Sequence, residues 1–180
     1  YAVLFVNSYR FLIFIKILFA IFSIHYFLNF FKKKFNLSEP LVYLFTIVLL
    51  TPYFFGDYKF ANRIFTEGIC YPLYLVSLVF LFRYLFEKKL KFFLYFLFTL
   101  SILILTRRQF FFMYPLIIIV ISYSHFFLKE NKKTLSLILC FLSTVFFTEI
   151  VERSYRFIKF DEFKPPPFGG IQLIAAPLYL

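Results

Sequence analysis

The stretch of this 180-residue sequence with the clearest chemical character is Leu105-Thr106-Arg107-Arg108-Gln109, where two adjacent arginines close an apolar run. The planar guanidinium fork matches the oxygens of a phosphate or a carboxylate. In apolar surroundings such a charge is expensive unless it is paired or faces water, so it marks a functional site by default. Arg107 is the first candidate for a phosphate contact and Arg108 the second, with Gln109 and Glu67 as supporting polar groups. The competing reading has both arginines extend to phospholipid headgroups.

Glu67 follows Thr66 at the start of another apolar run. Thr66 suits a helix cap, and a carboxylate in the first turn gains about 0.3 to 1 kcal/mol from the helix dipole. The functional alternative pairs Glu67 with Arg107 or has it orient a substrate hydroxyl. Asp57, Lys59, Asn62 and Arg63 form a mixed-charge loop that suits either a solvated surface or the wall of the same cavity. Glu149, Glu152, Arg153 and Arg156 fall on one helical face. Their two Glu-before-Arg pairs at i, i+4 are worth about 0.2 to 0.5 kcal/mol each, the pattern of a structural helix extension.

Further residues carry weaker signals. Pro165-Pro166-Pro167-Phe168-Gly169-Gly170 stops any helix. Gln172 then enters an apolar stretch, so this segment reads as a linker or as a loop lying over a substrate site. Arg10 and Lys16 in the first apolar run either snorkel outward or face the bundle interior, and His25 in the same run has no second ligand that would mark a metal site. Cys70 and Cys140 lack C-x-x-C spacing and read as lipid-facing or core-facing thiols. No Gly-rich phosphate loop, zinc motif or nucleophile triad is present. No cofactor is therefore assigned, and a requirement for a divalent metal stays open.

The elements that must position these residues are membrane helices. The chain is 62% hydrophobic with 33 Phe, and its mean hydropathy is +0.84, far more apolar than one soluble core requires. Apolar runs extend over Phe11–Phe31, Leu41–Phe55, Gly68–Phe86, Phe92–Leu105, Phe110–Leu128 and Leu135–Ile150, and Ile171 opens a further one. Lipid offers the backbone no hydrogen-bond partners, so such runs must be helices; the absence of period-2 alternation excludes a barrel. The expected fold is an all-α, polytopic integral membrane helical bundle with about six transmembrane helices. Residues 1–180 read as part of one transmembrane domain truncated at both ends, with 151–170 an outward-facing loop or helix extension.

Lysines mark every second connection: Lys32-Lys33-Lys34, then Glu87 to Lys91, then Lys129 to Lys133. The positive-inside rule makes these odd-numbered connections cytoplasmic. It also accounts for the net charge of +11 without nucleic acid, because the charges cluster between apolar runs rather than along one face. The arginine pair thus lies on the outer side, where positive charge is disfavoured. The run before it, Phe92 to Thr106, is only about 22 Å long as a helix, against about 30 Å of hydrocarbon. The turn is therefore expected in a protein-walled recess below the outer surface.

Three features together resemble the C-type superfamily of polytopic glycosyltransferases that use polyprenyl-phosphate sugars: Thr66-Glu67 opening an apolar helix, a short span ending in Leu105-Thr106-Arg107-Arg108-Gln109, and Tyr114-Pro115 in the next helix. The resemblance covers Arg10 to Ile150, and Arg108 departs from the small turn residue that relatives often carry there. It implies transfer of a sugar from a polyprenyl-phosphate donor to a lipid or glycan acceptor on the outer face of a bacterial cytoplasmic membrane. It also implies an Asp or Glu base in a first outer loop, upstream of Tyr1. The partners expected are the lipid-linked donor, the acceptor and membrane lipids, with no nucleic acid. The rival functions are a polysaccharide polymerase or ligase and a transporter or flippase of an anionic lipid.

Overall fold

The computed structural model describes residues 9–54, 67–128, 131–161 and 163. The described residues are all-α: α1 Tyr9–Phe35, α2 Glu39–Phe54, α3 Glu67–Glu87, α4 Leu90–Thr106, a short 3-10 helix Arg108–Phe112, α5 Met113–Leu128 and α6 Asn131–Phe160. Among the described residues four stretches are long and apolar enough to cross a membrane: Ile13–Phe35, Gly68–Glu87, Arg108–Phe126 and Thr134–Phe160. Glu39–Tyr53 and Leu90–Thr106 are shorter apolar helices. The 17 residues of α4 span about 25 Å, short of the ~30 Å hydrocarbon core.

The helix ends follow local chemistry. After α1, Asn36 takes a left-handed φ of 50°, and the Leu37 N–H donates to the Lys32 carbonyl at 3.3 Å. Lys88 and Asp161 close α3 and α6 in the same backbone region, their N–H groups donating to the Tyr84 and Phe157 carbonyls. Each arrangement satisfies a carbonyl that the helix leaves over. At the start of α2 the Ser38 carbonyl accepts from the Val42 N–H, and Pro40 sits in the first turn, where a missing donor breaks nothing. Lys32 in the last turn of α1 pairs with Glu39 in the first turn of α2.

Hydroxyls inside the helices are satisfied locally. Ser23, Thr46, Thr51, Ser101, Thr106, Thr144 and Thr148 each donate to the carbonyl four residues earlier. This is how a polar side chain survives where no water is available.

The chain divides into two compact units, with the division at Val79 and Phe80 inside α3. In the first, α1 packs on α2, and Ile24, Leu28 and Leu75 form a buried cluster beside Val42, Leu49 and Leu50. Two tyrosines join α2 to α3. Pro72 has no N–H to give the Gly68 carbonyl, and the Tyr53 hydroxyl donates to that oxygen instead, at 3.0 Å. In return the Tyr71 hydroxyl donates to the Leu49 carbonyl of α2 at 3.1 Å. Lys16 is buried in this unit, which settles its direction as inward.

In the second unit α4 packs against α6 and the 3-10 helix, and α5 packs against α6. Phe93, Phe96, Leu100 and Leu103 make the buried face of α4, while Leu94, Phe98 and Ile102 on its other side are exposed. Phe126 (73% exposed) and Phe146 (68%) likewise present large apolar surface outward, as lipid-facing residues do. At the lysine-rich end of α3, the Arg83 guanidinium lies 5.4 Å from the Phe92 ring centroid and Lys91 Nζ lies 5.2 Å from the same ring.

Candidate functional site

The expected arginine turn is formed where α4 ends. The Thr106 hydroxyl folds back on the Ile102 carbonyl, and Arg107 breaks the helix with an extended backbone, φ −153° and ψ 107°. Both its backbone groups are used: the Arg107 N–H donates to the Leu103 carbonyl at 2.8 Å, and its own carbonyl accepts from Phe110 at 3.1 Å. The half-buried Arg107 and Arg108 side chains therefore leave a backbone fixed at both ends, and Gln109 follows, exposed. A helix was expected from Phe110; the 3-10 turn instead occupies Arg108–Phe112, and α5 starts at Met113. Pro115 consequently falls in the first turn of α5, where it interrupts no helix.

Arg108 is the hub of a charged cluster. Its Nη2 lies 3.5 Å from Glu149 Oε1 and its Nη1 lies 3.6 Å from Glu152 Oε1, both on α6. The guanidinium also lies 4.8 Å from the Phe111 ring centroid, within cation–π range. Glu149 is shared with Arg153 Nε at 3.5 Å, one of the expected i, i+4 pairs. Arg156, buried on the same helix, acts electrostatically on Glu152. One turn inward, the Tyr114 and Thr148 hydroxyls are 3.2 Å apart, and Tyr114 packs edge-on against Phe141. α6 runs on to Phe160, so residues 151–160 are helix.

Among the described residues Arg108, Arg153, Glu149 and Glu152 form one ion-pair network, and Arg156 acts on Glu152 beside it. The contacts to Arg108 are longer than the ~2.7–2.9 Å of a tight charge-assisted hydrogen bond, and they come from two carboxylates on one face of α6.

Glu67 is the first residue of α3, in the first unit; its side chain lies outside the described residues. The loop residues Asp57, Lys59, Asn62 and Arg63, the segment Pro165–Gly170 and Gln172 lie outside them as well, as does the side chain of Arg10. Cys70 is buried and Cys140 half-buried, and neither is in a disulfide. Among the described residues no group of three or more His, Cys, Asp or Glu side chains is placed to hold a metal.

Sequence reasoning treated the α6 charges as a local helix face and did not join them to Arg108. The available signal was that both sets were expected on one side of the membrane. No family model, curated protein or solved structure matches the chain.

Proposed function

We propose that this chain forms part of a membrane glycosyltransferase that moves a sugar from a polyprenyl-phosphate donor to an acceptor on the outer face of a cytoplasmic membrane. The observation that carries the reading is the arginine turn after the short helix α4, with Arg108 anchored by Glu149 and Glu152. In this reading all six helices span the membrane, the lysine-rich connections face the cytoplasm, and the shortness of α4 sets the arginines below the outer surface.

The anchoring divides the labour between the two arginines. Arg108 is occupied by carboxylates and stiffens the turn. Arg107, half-buried on the extended residue beside it, is the phosphate contact. The leaving group of the transfer is a lipid phosphate, and a fixed guanidinium beside it stabilises the charge that grows as the glycosidic bond breaks.

The test is donor binding and sugar transfer by the full-length protein carrying Arg107→Ala, in membranes supplied with a polyprenyl-phosphate sugar. Loss of a charge-assisted contact of about 1.5 to 3 kcal/mol predicts weaker donor binding by about tenfold or more. Donor binding equal to wild type would overturn the assignment. Movement of the lipid across the membrane without sugar transfer would favour a flippase.

A further inference from the structure

We infer that the cleft between α1 and α2 is a binding site for one anionic phospholipid, taken from the leaflet that meets the Lys32–Lys34 end of α1. This goes beyond the transferase reading and rests only on α1 and α2 lying in a membrane.

The cleft encloses about 360 Å³ within the first unit, at the small end of the range for ligand sites, enough for a headgroup and the first part of its chains. Lys32 and Glu39 both line it, and Asn29 and His25 follow one and two turns back along the same face of α1. Its floor is apolar, from Ile24, Leu28 and Leu50. Seven residues separate Lys32 from His25, or about 10 Å along the helix. That matches the step from a lipid phosphate to its ester carbonyls and upper acyl chains.

His25 and Asn29 are exposed, and neither side chain hydrogen-bonds among the described residues. Below the membrane surface an exposed amide and imidazole are costly unless something polar lies against them. A bound phospholipid supplies that group, because its ester carbonyls accept hydrogen bonds at this depth while its chains cover the apolar floor. The charge selects the headgroup. Lys32, Lys33 and Lys34 gather in the last turn of α1, and Lys32 pairs with Glu39. The Lys32–Glu39 pair is itself exposed, and such pairs contribute little, so Lys32 can share its ammonium with a phosphate. Lys33 and Lys34 lie on the same turn beside the cleft, and clustered lysines at a membrane surface attract anionic headgroups.

Native mass spectrometry of the full-length protein in detergent, offered phosphatidylglycerol or phosphatidylcholine, tests the site. Wild type is expected to retain one phosphatidylglycerol at least fivefold more strongly, about the worth of one lysine at an anionic surface. Asn29→Leu with Lys32→Gln should abolish that preference. Lys33→Gln, which removes one charge beside the cleft and none of its lining, should weaken the preference less than the double variant does. Equal retention of the two lipids by wild type would overturn the proposal without any variant. So would an equal loss in Lys33→Gln. Release of the lipid by millimolar inorganic phosphate would identify a free-anion site instead.

Discussion

Arg108 reaches Glu149 across 41 positions of sequence, and Glu149 is held in turn by Arg153 one helical turn further along α6. One carboxylate thus ties the turn after α4 to the far end of α6. A short apolar helix that ends inside a protein needs such an anchor, because nothing in its own sequence fixes where the following arginine points.

The anchor predicts energetic coupling. Arg108→Ala and Glu152→Gln, alone and combined, should show an interaction free energy of about 0.5 to 3 kcal/mol in a thermal or denaturant unfolding cycle. The arginine should be the costlier loss, since its removal takes a partner from both Glu149 and Glu152. Strict additivity would mean that the 3.6 Å Arg108–Glu152 contact carries no energy.

Arg107→Lys separates charge from geometry. An ammonium keeps the positive charge but loses the planar fork. Donor affinity should fall by several fold to about tenfold, a loss of roughly 1 to 1.4 kcal/mol, with nonspecific binding to anionic vesicles unchanged. Parallel loss in both assays would mark Arg107 as a headgroup anchor rather than a donor contact.

The tyrosine that replaces a proline's missing donor gives a rescue experiment. Tyr53→Phe leaves the Gly68 carbonyl without its hydroxyl and should destabilise the protein by about 1 to 3 kcal/mol. Adding Pro72→Ala restores an N–H four residues after Gly68, so the double variant should recover part of that loss. A further drop on adding Pro72→Ala would show that the ring itself is needed there.

Topology can be read by thiol labelling after Cys70 and Cys140 are replaced by alanine. In intact cells a membrane-impermeant maleimide should modify Gln109→Cys and leave Lys33→Cys untouched until the membrane is opened. The reverse pattern would invert the orientation drawn from the lysine clusters and remove the reason for regarding the arginine pair as outward.

The positions of the helices were legible because lipid demands long apolar runs. Their ends were less so. α1 extends to Phe35, through Lys32–Lys34, because cations are favourable in a last helical turn. α6 runs ten residues beyond the apolar limit at Ile150, because its charges pair along and across the helix. The buried face of α4 could not be chosen beforehand: Phe93, which is buried, and Phe98, which is exposed, are the same residue type in a uniformly apolar helix. The Arg108 cluster was legible as a set of residue types and not as a meeting. Sequence spacing reports neighbours on one helix, whereas this meeting depends on how α4 and α6 pack.

The exchanged hydroxyls of Tyr53 and Tyr71 have a consequence for how this chain tolerates change. Two cross-pins at different heights fix both the sliding and the rotation of α2 against α3, as two bolts fix a joint that one bolt would leave free to pivot. Losing either phenol should leave the pair free to pivot about the other, so the two positions are expected to change together or not at all.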